Sequence, residues 1–203
     1  MLSALFELEE KKVAFLEIVW NLVEEEEKVS RAIEEIEPEA ILLDIGEEDL
    51  EFLYQHEKDQ IPVELSYVDL SYIKKLSRYG EVSQPSPHLT KLIEVARSKG
   101  IPVKAIDLDD DGYLEAFYRD VTARELFMRA LQLRWMRAKK FNEPDPHEFS
   151  LRWNEALSNA RGYNNLMSER ISYMAERIRR DEGSLVLFVS DPFIGERVRR
   201  LLK

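Results

Sequence analysis

The segment 184–203, SLVLFVSDPFIGERVRRLLK, decides the fold class of this chain. Its residues 185–189 are an uninterrupted apolar run, which is typical of a strand covered on both faces of a sheet. A polar turn at 190–195 follows, and a basic helix follows the turn. Polar groups between a strand and the next helix are where α/β proteins often place their functional sites. The segment therefore indicates an α/β protein, and Asp191 is a candidate ligand-binding residue.

The rest of the chain alternates strand and helix patterns in the same way. Two β-like runs, 3–8 and 13–20, flank a short polar linker and predict an N-terminal β-hairpin. Apolar runs at 40–45 and 101–107 predict two further core strands. This order predicts a mainly parallel mixed sheet with an N-terminal hairpin and flanking helices. The helices predicted between the strands are 24–35, 47–54, 68–79 and 87–99.

Two long helical patterns precede the last strand. Residues 122–141 predict a helix that is apolar around much of its circumference, and such a helix must be covered on two sides. Residues 147–180 predict a second helix, interrupted near Gly162. We expect the two to form a helical hairpin inserted at about 120–181 into a single domain that spans 1–203.

Composition excludes several classes of protein. The 203 residues carry 40 acidic and 29 basic side chains, a net charge of −11 that disfavours nucleic-acid and anionic-membrane binding. The absence of Cys excludes disulfides and Cys nucleophiles, and it fits a reducing cytosol. No run approaches the ~18 apolar residues of a membrane span, and no secretory signal is seen. We expect a cytoplasmic protein, and the seven glycines among many charges suggest thermostability.

Common catalytic and nucleotide-binding motifs are missing from the sequence. There is no glycine-rich phosphate loop and no G-x-S-x-G nucleophile motif. His56, His88 and His147 lie far apart and form no H-x-x-x-H pair, so we expect no metal site made from them. Two acids remain, because Asp44 and Asp107 each end a predicted core strand. Such carboxylates can bind a metal, act as a base or cap the next helix.

Four segments, taken in their order, carry a resemblance to a known family. They are EKVSRAIEEIEPEAILLDIGEEDLEFL (27–53), GIPVKAIDLDDD (100–111), MSERISYMAERI (167–178) and SLVLFVSDPFIGERVRRLL (184–202). Together they resemble the TraB/PrgY family, which is related to the Tiki and GumN proteins. The resemblance implies an α/β fold of the ChaN/erythromycin-esterase type.

The same resemblance assigns counterparts to four candidate ligand-binding residues. Asp44 matches the family's first strand-end acid and Asp107 its second, whereas Glu169 and Arg170 match its E-R pair. Helical geometry places Arg170 at the edge of a buried stripe and directs Glu169 away from it. We therefore expect Arg170 to reach Asp44 or Asp107. It would do so as a structural ion pair, or it would hold an anionic ligand through its planar fork.

The chain departs from the family at two positions. The family carries a G-T-x-H-like motif after its first strand and a G-x-G-H-like motif after its last. Trp20 and Phe193 stand roughly where those histidines would be. Related Tiki proteins use such histidines with an acid as a metal-dependent protease site. Losing both imidazoles predicts the loss of that chemistry.

Three functions follow from these patterns. The first is a TraB-like, catalytically degenerate binding or assembly module with no cofactor, forming a homo-oligomer through the helical hairpin with an unidentified protein or small-molecule partner. The second is a metal-dependent hydrolase or protease-like enzyme with a rebuilt carboxylate site, where Glu17, Asp44 and Asp107, with Asp191 nearby, hold Mg²⁺ or Mn²⁺. The third is a protein that binds a small anionic ligand through Arg170.

Overall fold

The computed structural model describes residues 4–8, 11–59 and 65–203. These residues contain a five-stranded sheet with the strand order β1-β2-β5-β3-β4. Strands β1 and β2 form an antiparallel hairpin, and the other neighbouring strands are parallel. The predicted fold class is confirmed, although residue 3 and the hairpin turn at 9–10 lie outside the described residues. The strands are β1 (Ala4–Leu8), β2 (Lys11–Glu17), β3 (Ala40–Leu43), β4 (Val103–Ala105) and β5 (Leu185–Ser190).

The helices begin where the sequence supplies caps. Ser66, Asp109, Thr122 and Asp145 each accept a hydrogen bond from the backbone N–H three residues later, which satisfies a donor that the first turn leaves free. The helices are α1 (Glu25–Ile36), α2 (Glu47–Asp59), α3 (Tyr67–Leu76), α4 (Pro87–Lys99), α5 (Asp110–Asp120), α6 (Ala123–Ala138), α7 (Pro146–Leu157), α8 (Arg161–Arg180) and α9 (Pro192–Leu202).

The inserted segment differs from a simple hairpin. The long helix predicted at 147–180 is two helices, α7 and α8, separated by residues 158–160. The break lies just before Gly162, in the first turn of α8. A Cβ atom on Gly162 would lie 2.3 Å from the carbonyl oxygen of Asp120, so only glycine lets α8 start this close to the end of α5. Helix α8 then packs against α5 and α9, whereas α7 packs against α9 and α3.

Side chains that alternate along the strands fill two cores, one on each face of the sheet. On one face, Leu16, Leu43 and Val189 pack with α1 and α4. On the other, Phe15 and Phe188 pack with α8 and α9. These two cores cover the sheet on both faces, as its apolar strands predicted. A third cluster joins α3, α6 and α7 to the loop after β2. The buried members of this third cluster are Val19, Leu22, Leu76, Met136, Phe141, Phe149 and Trp153.

Helix α6 is covered on one side only within the described chain. Met136 is fully buried, but Phe127 is 64% exposed and Trp135 is 60% exposed. The sequence predicted that this helix is covered on two sides, but the described residues of one copy cover only one side. The other large apolar side chains exposed on α6 are Leu126, Met128 and Leu131. In the described residues, no helix combines the length and apolarity that crossing a membrane requires.

Candidate functional site

Four acids lie along one edge of the sheet. Because β2, β5, β3 and β4 are parallel neighbours, their carboxyl ends meet at that edge. Glu17 ends β2, Asp191 follows β5, Asp44 follows β3 and Asp107 lies just beyond β4. The N–H of Asp107 still donates to the carbonyl of Ile45 at 3.1 Å, which fixes its backbone beside the end of β3. The structure thus brings the predicted strand-end acids to a common edge.

Asp191 is held by donors from two helices. Its Oδ2 accepts a 2.6 Å hydrogen bond from the Ser150 hydroxyl, and its Oδ1 accepts from Asn154 Nδ2 at 3.2 Å. Ser150 and Asn154 are one turn apart on α7, so a single helix face presents both. The N–H of Phe193 also donates to Oδ1 at 2.8 Å, which makes Asp191 the N-cap of α9. Burial raises the pKa of Asp191 to about 6 in spite of these donors.

Asp44 is the most deeply buried acid of the edge that lacks a cationic partner. Asp44 is only 6% exposed, and its Oδ2 accepts a 2.8 Å hydrogen bond from the N–H of Asp191. Among the described residues, no donor reaches Asp44 Oδ1. Burial raises the pKa of Asp44 well above its usual value, and the charges of Asp191 and Asp107 raise it further. Burial therefore favours the protonated form of Asp44 over its carboxylate.

Arg170 projects from α8 onto Asp107. Its Nε donates to Asp107 Oδ1 at 3.2 Å and to Oδ2 at 3.0 Å, and its Nη2 also donates to Oδ2. This fork-like pairing occupies both oxygens of a carboxylate whose side chain is 5% exposed. Glu169, by contrast, pairs with Arg119 of α5 away from the edge. Glu169 therefore links two helices and does not belong to the site, because successive residues of a helix point about 100° apart.

Glu17, the remaining acid of the edge, also has cationic neighbours. His147 Nε2 lies 3.0 Å from Glu17 Oε2, and Arg199 Nη1 lies 3.4 Å from Glu17 Oε1. The hydrogen bond to Glu17 raises the pKa of His147. Sequence reasoning missed this pair, because Glu17 and His147 are 130 residues apart. The only local signal is that His147 follows the Asp145 cap in the first turn of α7.

A cavity of about 350 Å³, here called the edge cavity, opens beside these acids. Asp44, Asp191 and Arg170 line it, so the cavity reaches three of the predicted site residues. Trp20 and Phe193 form part of its wall. Its remaining wall is largely aromatic and aliphatic, from Tyr72, Trp153, Leu157 and Met167.

His88 lies behind Trp20 and does not line the edge cavity. The two rings meet edge to face with their centroids 5.8 Å apart. His88 Nδ1 is 3.1 Å from the Ser86 hydroxyl, and burial lowers the pKa of the imidazole to about 3. His88 is thus a neutral core residue that supports Trp20.

A second cavity of about 330 Å³, here called the side cavity, adjoins the first. Trp20, Asn21 and Asp69 line both cavities. Asn21 has a left-handed φ of 74°, and its N–H donates to the buried Ser86 hydroxyl at 2.7 Å. Asn tolerates this conformation better than most residues, so the shared wall is held by a strained but well-anchored turn.

The metal-ligand set Glu17, Asp44 and Asp107 is divided among separate partners. Arg170 occupies Asp107, His147 and Arg199 approach Glu17, and Asp44 accepts from a backbone N–H. Across the residues that the structure describes, no three His, Asp or Glu side chains form a group that could hold a metal ion.

A comparison of the sequence with protein-family models and with curated proteins gives no match. Functional inference for this chain therefore rests on the chemistry of the edge cavity and its neighbours.

Proposed function

We propose that this chain is a TraB-like binding module that has lost the family's catalysis and that binds a small molecule in the edge cavity. One observation carries the proposal: the buried Asp44 carboxyl lines the cavity, and its Oδ1 has no donor within the described chain. A donor group of a bound molecule would add a hydrogen bond at this oxygen, worth about 0.5–1.5 kcal/mol. The volume of about 350 Å³ is in the usual range for small-molecule sites.

The surroundings of the acids favour binding over hydrolysis. The two positions that match the family histidines hold Trp20 and Phe193, which supply apolar wall but no general base. His147 pairs with Glu17 and is not among the residues that line the edge cavity. Arg170 donates from Nε and Nη2 to Asp107, so this side of its guanidinium is already paired. A protein of this kind would select a ligand by shape and charge.

The proposal is tested by filling the cavity. Met167→Trp adds bulk to the edge cavity, and Met128→Trp makes the same change on the exposed side of α6. A panel of small amines, carboxylates and polyols is screened by thermal melting, because a ligand of the native state raises Tm. We expect a class of compounds that stabilises the wild type and Met128→Trp but not Met167→Trp. A panel without such a class would refute binding in the edge cavity.

A second role is supported by the open side of α6. We propose that the chain also self-associates through this face, because Phe127 and Trp135 expose most of their apolar surface beside Arg134 and Arg137. The acidic N-terminal quarter of a second copy supplies a complementary charge. Aromatic and Arg side chains of this kind are enriched in protein interfaces.

Light scattering after size-exclusion chromatography tests this assembly. The double variant Phe127→Glu with Trp135→Glu should be monomeric where the wild type is oligomeric. Tyr118→Glu is the matched control, because Tyr118 is an aromatic residue on α5 that is 77% exposed. A monomeric wild type at micromolar concentration would contradict the assembly role and leave the edge-cavity proposal standing.

A further inference from the structure

The edge cavity and the side cavity lie next to each other and are together called the cleft. Trp20, Asn21 and Asp69 line both cavities, so a ligand that extends past these residues would occupy both chambers. Asp44 lies in the edge chamber, Asp69 lies at the junction, and Asp49 lies in the side chamber. Carboxylates are therefore distributed along the cleft instead of being gathered at one point.

The charge of the cleft is negative. Asp191 joins Asp44 in the edge chamber, whereas Arg170 is the one cation among the described residues that line either chamber. Asp107 neutralises Arg170 through its two-oxygen pairing. An anionic ligand would thus meet two carboxylates and a guanidinium whose Nε and Nη2 already donate to Asp107. A cationic ligand would meet carboxylate oxygens and would leave the Arg170–Asp107 pair intact.

The walls of the cleft are suited to a cation with an aliphatic chain. Trp20 and Tyr72 line the edge chamber together with Phe193, and Phe52 lines the side chamber. Aromatic faces attract ammonium groups and also cover methylene groups. Asp44 adds a specific acceptor, because it is 6% exposed and no described donor reaches its Oδ1.

We infer that the cleft binds a linear aliphatic polyamine, with one ammonium group at Asp44 and Asp191 and another near Asp69 and Asp49. The methylene chain passes Trp20, which lines both chambers. This inference rests on the proposed function, since it names the ligand class of the same cavity. Because each chamber has acids in its wall, a linear ligand with several ammonium groups fits the cleft better than a compact ligand.

Isothermal titration calorimetry with spermidine tests the inference. The comparison ligands are 1,8-octanediol, which has a similar length without charge, and the dicarboxylate suberate. The variants are Asp44→Asn and Asp69→Asn, and Asp111→Asn is the control because Asp111 is exposed on α5 outside both chambers. We expect Kd for spermidine to rise about tenfold in Asp44→Asn, the usual effect of losing one charge-assisted hydrogen bond, and several-fold in Asp69→Asn. Asp111→Asn should bind as the wild type does.

Each other outcome overturns a defined part of the argument. Equal weakening in all three variants would mean that spermidine condenses on the acidic surface, which would overturn the inference. Tight binding of octanediol or suberate, blocked by Met167→Trp, would refute the polyamine and leave the proposed function intact. If none of the three ligands binds, the polyamine inference fails, and the proposed function is then decided by the broader Met167→Trp screen.

Discussion

The backbone N–H of Asp191 donates a 2.8 Å hydrogen bond to the side chain of Asp44, so the turn after β5 rests on the acid that follows β3. Asp44 is buried and Asp191 is half-buried, and loss of solvent raises the pKa of each. The edge of the sheet therefore holds two adjacent carboxyl groups that fold at an electrostatic cost. Acids with raised pKa values that line a cavity are candidates for a binding site.

Removing the charge of Asp44 should stabilise the protein. Asp44→Asn keeps an acceptor for the N–H of Asp191 and abolishes the buried charge. We expect the free energy of unfolding at pH 8 to rise by about 1–2 kcal/mol and Tm by roughly 3–6 °C for a chain of this length. Urea and thermal unfolding measure both quantities. An unchanged or lowered stability would mean that Asp44 is satisfied in the free protein, contrary to its proposed role.

Stability should fall as pH rises from about 5 to 8. An acid whose folded pKa is raised takes up a proton more readily when folded, so Asp191 destabilises the folded state as pH rises toward about 6, and the raised pKa of Asp44 acts in the same direction. His147 acts in the same direction, because its raised pKa gives stability below about 6.5 that is lost above its folded pKa. The neighbouring Glu17 raises the pKa of both His147 and Asp191, whereas Arg170 lowers the pKa of Asp44.

Chemical denaturation at a series of pH values measures this slope. Asp44→Asn and His147→Gln should each reduce the slope. A stability that rises steadily between pH 5 and 8 in the wild type would contradict the assignment of all three groups.

The Arg170–Asp107 pair should be strongly coupled. Arg170→Met would leave the Asp107 carboxylate buried without its cation, and breaking a buried pair in this way typically costs about 3–5 kcal/mol. The double variant Arg170→Met with Asp107→Asn removes the unpaired charge and should recover at least half of that loss. A double-mutant cycle from urea unfolding gives the coupling. Additive losses would show that the two side chains do not support each other.

Gly162 should not tolerate a side chain. A Cβ atom at this position would lie 2.3 Å from the Asp120 carbonyl oxygen, which is backbone and cannot move aside cheaply. We expect Gly162→Ala to cost about 2–3 kcal/mol through overpacking between α5 and α8. Gly80→Ala is the control, because its nearest neighbour would be the end of the Leu22 side chain at 3.4 Å. Equal stabilities of the two variants would contradict the close approach.

Divalent metals should not bind specifically at the edge. Glu17 and Asp107 already have cationic partners, so Mg²⁺ or Mn²⁺ would have to displace Arg side chains. We expect millimolar metal to change Tm equally in the wild type and Asp44→Asn. A rise specific to Mn²⁺ or Mg²⁺ that disappears in Asp44→Asn would instead support the rebuilt hydrolase site and would redirect work to hydrolase substrates.

The sequence by itself determined the layers of the fold. Alternation of apolar runs with capped helices predicted the hairpin, the parallel strands and α4 from Pro87 to Lys99, because these signals are local. Strand-end acids could be placed at one edge for the same reason, since parallel strands share a direction. The position of Asp44, Asp107 and Asp191 near this edge was therefore predictable from the sequence, and helical spacing predicted that Arg170 would reach Asp44 or Asp107.

Only the tertiary structure decided which of these groups meet and what surrounds them. The pairing of His147 with Glu17 joins residues 130 positions apart. Arg170 donates to Asp107, whereas the sequence left Asp44 open as the alternative partner. The cleft beside Trp20 arises from elements that are distant in sequence. Periodicity records which face of an element is apolar, but contacts between elements depend on how the whole chain packs. For this protein, that packing leaves Asp44 buried beside an open cavity.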